Sequence, residues 1–577
     1  MRKTLPNLFL FLLLISCTNK QEPLFENISA KTGIDFTNEL TFSKELNPYT
    51  YRNFYNGGGV GLGDINNDGY LDVFFAGNIV DNKLYLNNGD LTFTDITETA
   101  QIASENVWST GVSMADVNGD GWLDIYVSKS GTPGGENRHN ELFINNGDLT
   151  FTEMAEEYGI DDTGLSNHSV FFDFDKDNDL DLYLLNNSFS PIGKFDMIPD
   201  LRQIPDPDGG NKLYRNDGGH FTDVTAEAGI YSSKVGFGLG VSIGDLNRDS
   251  WPDIYVSNDF FERDYFYLNN QDGTFTEVLD GKIASTSMNA MGADIGDLNH
   301  DGYPEIYVTD MLPEPEERYK TKTQFESWDR YIEKVRNGYH FQFTRNALQL
   351  NIGNGEFIEI GRMAGVEATD WSWAALMADL DQNGNTDLFI ANGIYQDLTD
   401  MDYINYYSNP ELFQTVLRDD KPVDILFESI PSVPVANYAY SNEGELRFEN
   451  RAQEWGLGEP GFSNGSAYGD LDNDGDLDLV INNVNMPAFV YRNRANEQGR
   501  GGWLQVRLEG LEGNTQGIGA QLSVWTADTL HWREQMLQRG FQSSVDPRLH
   551  VGLGGASMVD SLAIVWPDGK VERRYEI

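Results

Sequence analysis

The sequence predicts an all-β protein: a seven-bladed β-propeller with calcium-binding loops, followed by a small β-rich domain at the C-terminus. Three observations lead to this fold class. An acidic nine-residue loop occurs seven times, a β-rich run follows each copy, and Asn-rich or Asp-rich turns with Gly recur between the copies. The composition of 59 Gly, 27 Tyr and 33 Phe fits many short strands joined by tight turns.

The acidic loop has Asp at its first position, Asp or Asn at its third and fifth, usually Gly at its sixth, and Asp or Glu at its ninth. Oxygens at alternate positions of a tight loop converge on one centre, where they can replace the hydration shell of Ca²⁺. No Glu follows at position twelve, so a strand should leave the loop where an EF-hand would begin a helix. The predicted ligands are Asp64, Asn66, Asp68 and Asp72; Asp116, Asn118, Asp120 and Asp124; Asp173, Asp175, Asp177 and Asp181; Asp245, Asn247, Asp249 and Asp253; Asp297, Asn299, Asp301 and Glu305; Asp379, Asp381, Asn383 and Asp387; and Asp470, Asp472, Asp474 and Asp478.

Up to seven structural Ca²⁺ ions are therefore expected. Asp, Asn and Gly also form ordinary turns, and one isolated copy would fit that alternative equally well. Seven copies in the same strand context favour metal binding, because their 23 carboxylates would repel one another without cations. Gly at the sixth position supplies a positive φ; Asn178 tolerates that conformation, and Ser250 suits it less well.

Four predicted strands surround each loop, but the seventh unit lacks the last of them. Its third strand is predicted at residues 489–493, and no Phe-Thr-Asp-like strand follows. The missing motif stands at residues 24–34, ahead of the first loop. We therefore expect the N-terminal segment to complete the seventh blade and to close the ring, which leaves only short protected edges.

Residues 24–494 resemble the FG-GAP and VCBS repeats of integrin α-subunit propellers, through these loops and the strands around them. Residues 495–577 resemble the ASPIC/UnbV domain, through Arg-Gly-Phe-Gln-Ser at 539–543, Leu-His-Val-Gly-Leu-Gly at 549–554 and Val-Trp-Pro-Asp-Gly at 565–569. The two parts together resemble the bacterial relatives of cartilage acidic protein. This resemblance implies an architecture and no particular chemistry.

The N-terminus predicts export. Arg2 and Lys3 precede an apolar run at residues 8–15, which is too short to span a bilayer. The run ends at Cys17 in a segment that resembles the bacterial lipobox, which implies a signal peptide at 1–16, lipidation of Cys17 and a tether at 17–23. The alternative is an ordinary signal peptide with an incidental cysteine. The lipobox resemblance implies a protein anchored by lipid at the bacterial cell envelope, in the outer membrane. Cys17 is the only cysteine, so the chain forms no internal disulfide.

Long insertions occupy equivalent positions, at residues 187–210, 310–345 and 393–436, each between the second and third strands of a unit. Within the second insertion, residues 316–338 fit an amphipathic helix. We expect them, with residues 35–56, to build up the face opposite the acidic loops, leaving the loop face a plain metal-bound floor. Aromatic residues on or near the built-up face are candidates for ligand binding: Trp328, Trp371, Trp373, Tyr406 and Tyr407. Core packing is the alternative, especially for Trp371 and Trp373.

The formal charge of −51 makes nucleic acid an improbable partner. One string, Gly-Phe-Ser-Asn-Gly at 461–465, satisfies the G-x-S-x-G pattern, but it leads into a strand and an acidic loop rather than a helix. No catalytic motif is recognisable. The sequence therefore favours a module that binds or assembles with a glycan or protein at the cell envelope. The alternative is a glycan-active hydrolase or lyase with its site on the same face.

Overall fold

The computed structural model describes residues 22–104, 108–131, 138–188, 200–353, 355–411 and 422–577. The predicted signal peptide, Cys17 and most of the predicted tether lie outside these residues. Within them the protein is mostly β, and none of the helices is long and apolar enough to cross a membrane.

Seven antiparallel sets of four strands occur before residue 494, and we number them sheets 1 to 7 by their acidic loops. Six are separate four-stranded sheets, and sheet 1 is part of a six-stranded sheet. Each sheet places its strands in the spatial order first, second, third, fourth, and the acidic loop joins the first strand to the second. The strands are Val60–Gly63, Asp72–Phe75, Lys83–Asn87 and Phe93–Asp95; Trp108–Ala115, Asp124–Ser130, Glu141–Asn145 and Phe151–Glu153; Leu165–Phe172, Asp181–Asn187, Lys212–Asn216 and Phe221–Asp223; Gly238–Gly244, Asp253–Asn258, Tyr265–Asn269 and Phe275–Glu277; Ala293–Gly296, Glu305–Val308, Ala347–Asn351 and Phe357–Glu359; Ser372–Ala378, Asp387–Asn392, Tyr438–Asn442 and Phe448–Asn450; and Ser463–Gly469, Asp478–Asn483 and Phe489–Asn493, with Phe25–Asn27 as the fourth strand of sheet 7.

The fourth strand of sheet 7 comes from the N-terminus, which confirms the predicted pairing. Phe25 lies opposite Asn493, and Asn27 lies opposite Tyr491. Phe25 is buried, with its ring centroid 6.4 Å from that of Trp455. The first and last parts of the repeat region are therefore held in one sheet.

The first strands of successive sheets contact one another in order from sheet 1 to sheet 7, and the first strand of sheet 7 contacts that of sheet 1. The approach is close enough to explain the glycines that precede the acidic loops. A Cβ atom on Gly465 would lie 2.5 Å from the carbonyl oxygen of Gly58, in sheet 1's approach segment. Only glycine fits where backbones pass this closely.

An asparagine at the end of the third strand ties each of six sheets to the preceding one. Its side-chain nitrogen donates to the carbonyl at the second position of the neighbouring acidic loop. The pairs are Asn145 with Ile65, Asn269 with Phe174, Asn351 with Leu246, Asn442 with Leu298, Asn493 with Leu380, and Asn87 with Leu471. The last pair joins sheet 1 to sheet 7.

Short helices follow most fourth strands, and longer ones lie in the insertions. The short helices are Ser29–Thr32, Thr97–Ala100, Ala155–Tyr158, Leu279–Lys282, Gly361–Ala364 and Ala452–Trp455, with 3₁₀ turns at Arg52–Tyr55 and Leu201–Gln203. The insertion helices are Glu316–Lys322, Trp328–Arg336, Met401–Tyr407 and Pro422–Glu428. Two further pairs of short strands lie outside the seven sheets: Thr286–Ser287 with Gln342–Phe343, and Val435–Ala436 with Pro460–Gly461.

The insertions follow second strands, as predicted, but the single amphipathic helix expected within residues 316–338 is two helices. Ser327 caps the second helix by accepting a hydrogen bond from the Arg330 backbone nitrogen. The first helix is fixed to the body of the protein through Arg318, whose guanidinium lies 2.8 Å from Asp370 and 3.0 Å from Asp397.

The C-terminal domain contains two small sheets. One pairs Gly502–Val506 with Leu549–Gly554, and the other orders Thr529–Glu534, Gln521–Thr526, Ser561–Val565 and Val571–Tyr575 side by side. A hairpin of Gln538–Arg539 and Ser543–Ser544 leaves this domain and joins the first strand of sheet 1. The domain therefore meets the seven sheets at the strands that line their centre.

Candidate calcium loops and ligand cavity

The seven acidic loops share one backbone conformation. Their sixth residues all have φ between 70° and 96°, including Asn178 at 77° and Ser250 at 70°. Ser250 therefore adopts the left-handed conformation, to which serine is less suited than Gly or Asn. The fourth residues also have positive φ, from 57° at Asn67 to 72° at Gly119. The sequence does not reveal this second left-handed position, because varied residues such as Lys176, Arg248 and Gln382 occupy it.

Backbone N–H groups orient the carboxylate at the first position of the loop. In sheet 1, Asp64 accepts hydrogen bonds from the backbone nitrogens of Asp68 at 3.0 Å and Gly69 at 2.8 Å. Asp68 in turn accepts from the backbone nitrogen of Tyr70 at 2.9 Å. The same bonds recur in the loops of sheets 2 and 4, so each of these loops aims its acidic side chains inward by a common mechanism.

The ninth-position acid is buried and anchors the loop to the rest of its sheet. Asp72 accepts from the backbone nitrogens of Ile65 at 3.0 Å and Asn87 at 2.8 Å, so it links the loop to the third strand. Burial raises the pKa of Asp72 to about 8 and that of Asp124 to about 7. A nearby cation would favour the charged form of both groups.

The residues present fit a hard divalent cation. Carboxylate oxygens lie within 4.8 Å of one another in three loops, in the groups Asp173, Asp175 and Asp181; Asp379, Asp381 and Asp387; and Asp470, Asp472 and Asp474. Buried oxygens of Asp173, Glu305 and Asp379 have no hydrogen-bond partner among the described residues. Such acceptors are costly to bury unless something binds them.

Loops with Asn at the third position are arranged differently. In sheets 1, 2, 4 and 5 the Asn side-chain nitrogen donates to the fifth-position carboxylate, as Asn66 does to Asp68 at 2.9 Å. In sheets 3 and 7 an Asp takes the place of this Asn, so two carboxylates lie side by side. The Asn loops therefore have less repulsion between like charges. All seven loops join a first strand to a second strand, and six of them fall into these two kinds.

The prediction of a plain floor on the loop face is wrong, because the C-terminal domain lies on it. Thr515 donates to the first-position carboxylate Asp116, and Gln521 donates to Asp245 at 2.8 Å. His550 contacts the carbonyl of Gly475 at 3.0 Å, in the loop of sheet 7. These contacts join residues that are 75 to 399 positions apart in the chain, and no local sequence pattern signals them.

The Arg-Gly-Phe-Gln-Ser motif of the C-terminal domain enters the centre of the ring of first strands. Gln542 accepts from the backbone nitrogen of Val112 at 2.9 Å, and its side chain donates to Asn167 at 2.8 Å. Arg539 donates to Asp294 at 2.9 Å. Sheets 2, 3 and 5 are thus bound to one short segment, which fills the space between them.

The five predicted ligand-binding aromatics fall into three groups instead of one surface. Trp328 is 70% exposed and lies beside Tyr331, with ring centroids 5.7 Å apart. Tyr406 and Tyr407 form the second group, and both lie on the helix Met401–Tyr407. Tyr406 is 56% exposed, and the two ring centroids are 5.0 Å apart. Trp371 and Trp373 form the third group, with centroids 6.3 Å apart.

Trp371 and Trp373 line a cavity of about 330 Å³ on the insertion-bearing side. Trp373 is only 1% exposed, and its ring lies 5.1 Å from Phe541 of the central segment. Trp373 therefore both packs against the central segment and lines the cavity. The remaining wall includes side chains that the sequence analysis did not single out: Tyr49, Arg52, Asn53, Tyr55, Asn56, Asp259, Phe260, Met291 and Met311.

Two polar groups in this cavity wall have no partner among the described residues. They are the indole nitrogen of Trp371 and the side-chain nitrogen of Asn56, a residue only 7% exposed. Asp259 is buried beside Arg52, and burial raises its pKa to about 8. The cavity thus combines aromatic faces with unsatisfied hydrogen-bond donors.

Ser463, the serine of the G-x-S-x-G string, is buried in the first strand of sheet 7. Its hydroxyl donates to Asn483 at 2.8 Å, on the neighbouring second strand. This inter-strand bond gives the residue a structural role.

Family comparisons agree with the motifs. Residues 64–127, 196–256 and 245–308 match the FG-GAP-like repeat, and residues 510–577 match ASPIC and UnbV. The chain thus contains FG-GAP-like repeats and an ASPIC/UnbV match, in agreement with the resemblance found in the sequence.

Among individual proteins, the chain is similar to cartilage acidic protein 1 and, over a short segment, to integrin alpha chains. Human cartilage acidic protein 1 is 23% identical over 598 residues, covering 100% of this chain and 77% of that protein. Human integrin alpha-6 is 37% identical over 83 residues, covering 12% of this chain and 7% of that protein. A solved lectin from Agrocybe aegerita, specific for non-reducing terminal N-acetylglucosamine, aligns with 73% of this chain and 88% of its own at 16% identity and a TM-score of 0.37.

Proposed function

We propose that sheets 1 to 7 are the blades of one closed propeller and that their acidic loops hold structural Ca²⁺. The circular contacts of the first strands support closure, as do the asparagine bonds from each of six sheets to the one before. The unpartnered buried carboxylate oxygens support the metal. Bound Ca²⁺ would offset two of the three or four negative charges of each loop, while the chain's own N–H groups keep the carboxylates oriented.

We infer that the protein acts as a ligand-binding module through the cavity on the insertion-bearing face. The observation that carries this proposal is the pair of unsatisfied donors, on Trp371 and Asn56, in an aromatic cavity of about 330 Å³. Buried donors without partners are expensive, and a ligand with acceptor oxygens would satisfy them. The volume lies within the range of small-molecule sites.

A saccharide fits the lining better than a charged ligand does. Aromatic rings from Trp371, Tyr55 and Phe260 offer apolar faces, and Asn53 and Asn56 offer amides for hydroxyl groups. Asp259 is the one carboxylate among the described residues that line the cavity. Because most glycosidases use two carboxylates, this lining supports glycan binding over hydrolysis.

The test is to measure retention and cleavage of a polysaccharide panel by the purified protein. Trp371→Phe removes the N–H group and keeps the ring, and Asn56→Ala removes the second donor. We expect each to weaken binding about tenfold, the value of one lost hydrogen bond of about 1.4 kcal/mol. Trp328→Ala is the control and should bind normally.

Full binding by Trp371→Phe and Asn56→Ala, with loss of binding in a Trp328, Tyr406 and Tyr407 triple alanine variant, would move the site to the outer aromatics. Cleavage of a polysaccharide would favour the glycan-active enzyme instead.

We also propose that the protein is exported and anchored in the outer membrane of a bacterial envelope through lipidated Cys17. Several acyl chains give a stable anchor that one chain does not. Cys17→Ala should therefore appear in the soluble fraction. Continued fractionation of this variant with membranes would count against the anchor.

A further inference from the structure

We propose that Asp474, Asp476 and Glu497 form an additional divalent-cation site, where the acidic loop of sheet 7 meets the turn that leads to the C-terminal domain. One carboxylate oxygen from each residue lies within 4.8 Å of the other two. Asp474 is shared with the proposed calcium loop of sheet 7. Asp476 and Glu497 are not part of the repeating ligand pattern.

Asp476 gives the strongest indication that a ligand is missing. It occupies the seventh position of its loop, where a backbone carbonyl rather than a side chain is expected to bind Ca²⁺. The residue is 0% exposed, and its Oδ1 atom has no hydrogen-bond partner among the described residues. Its other oxygen accepts from the backbone nitrogen of Asn496 at 2.9 Å. That bond fixes the carboxylate with one oxygen free.

Negative charge exceeds positive charge around Asp474, Asp476 and Glu497. Arg492 lies 3.0 Å from Asp472, 3.0 Å from Asp474 and 2.6 Å from Glu497. One guanidinium therefore serves three carboxylates, and no ion pair reaches the fourth, Asp476, from any described residue. A divalent cation beside Asp476 would supply the missing positive charge.

Three carboxylate oxygens suit a hard cation such as Ca²⁺, with water completing the coordination. The site would bind the loop of sheet 7 to the turn at residues 495–499. Asn496 already bonds the carbonyl of Asp474 at 2.6 Å, so the cation would reinforce an existing contact. Its effect would be to fix the C-terminal domain to the blade that the N-terminal strand completes.

The loop of sheet 3 provides an internal comparison. It also has Asp at the seventh position, Asp179, with one buried oxygen that lacks a partner among the described residues. Among those residues, however, no third acid joins Asp177 and Asp179 in a group. Asp179 is thus a matched control for a seventh-position carboxylate without an equivalent of Glu497.

The competing explanation is a proton shared between Asp476 and Asp474. Asn is nearly the same shape as protonated Asp and can donate the same hydrogen bond. Asp476→Asn should therefore leave Ca²⁺ binding unchanged if a proton is shared, and should remove one ion if a cation is bound.

The experiment is equilibrium dialysis of the full chain against Ca²⁺, with the bound metal counted by mass spectrometry. We expect wild type to bind one ion more than Asp476→Asn and one more than Glu497→Gln, and Asp179→Asn to match wild type. Glu497 is 45% exposed, so Glu497→Gln decides the question even if Asp476→Asn fails to fold. Limited proteolysis at residues 495–499 should speed up in both variants at saturating Ca²⁺.

Equal stoichiometry in wild type, Asp476→Asn and Glu497→Gln would overturn the additional site and leave the seven loops standing. Loss of one ion in Asp179→Asn as well would overturn it too, because the effect would then follow any seventh-position carboxylate. A wild-type protein that binds no Ca²⁺ would refute the calcium loops themselves.

Discussion

At the scale of single residues, the asparagines that end the third strands join the blades of the proposed propeller. Asn145 donates to Ile65 in the preceding sheet at 2.8 Å and to Leu123 in its own sheet at 3.1 Å. Its side-chain oxygen accepts from Gly147 at 2.9 Å, which also forms the hairpin turn. At the level of the sequence, these Asn-Gly segments indicate only turns. Their second role depends on a neighbouring repeat and is not visible within one copy.

We predict that Asn145→Ala lowers the free energy of unfolding by about 1–3 kcal/mol, because two buried carbonyls lose a donor. Asn146→Ala is the matched control, since Asn146 is exposed and its side chain bonds only to Thr150 and Thr152 of its own hairpin. It should change stability by less than about 0.5 kcal/mol. Denaturant unfolding followed by fluorescence measures both. Equal effects in the two variants would contradict the inter-sheet role.

Trp373 and Trp328 allow a comparison between a buried tryptophan and an exposed one. Trp373 is buried against Phe541, so Trp373→Ala should cost about 3–5 kcal/mol and lower the melting temperature. Trp328→Ala should be within about 0.5 kcal/mol of wild type, because that side chain is largely exposed. Thermal melts at saturating Ca²⁺ compare them. A strongly destabilised Trp328→Ala would show that this helix contributes to the core.

At the scale of elements, the sequence located the strands well because each of the seven sheets repeats the same turns and loops. It also placed the three insertions, since their surplus length interrupts a regular spacing. The helix break near Ser327 was missed, because a cap is a local feature within a longer periodic pattern. The N-terminal strand was found because its motif matches the one absent from the seventh unit.

We predict that a chain lacking residues 24–34 does not remain a stable monomer. The deletion removes the partner of Phe489–Asn493 and exposes both that strand and the Trp455 ring. Size-exclusion chromatography and thermal melting should show aggregation or a large loss of stability. A chain that begins at Glu22 keeps the strand and should behave as the full chain does. A monomeric, fully stable deletion would overturn closure by this strand.

At the scale of the whole molecule, the C-terminal domain and the ring of sheets form one structure. Segment 538–544 contacts first strands of several sheets, while Thr515 and Gln521 contact acidic loops. The sequence identified both parts but not their arrangement, because these contacts cross hundreds of residues. The cavity was also missed, although Trp371 and Trp373 were candidates, since its other walls come from segments scattered between residues 48 and 399.

Chelation of Ca²⁺ should destabilise this whole structure. Extracellular calcium modules bind at roughly 10⁻⁴ to 10⁻³ M, so millimolar Ca²⁺ would stabilise the protein by about 0.5–1.5 kcal/mol per site. Seven such contributions are comparable with a typical total stability of about 5–15 kcal/mol. Because the C-terminal domain contacts the loops directly, we expect the ring and the domain to lose stability together when EDTA is added. Calorimetry should show a melting temperature many degrees lower, restored by excess Ca²⁺ and not by Na⁺ at equal ionic strength. An unchanged melting curve after confirmed removal of the metal would show that the loops fold as ordinary acidic turns.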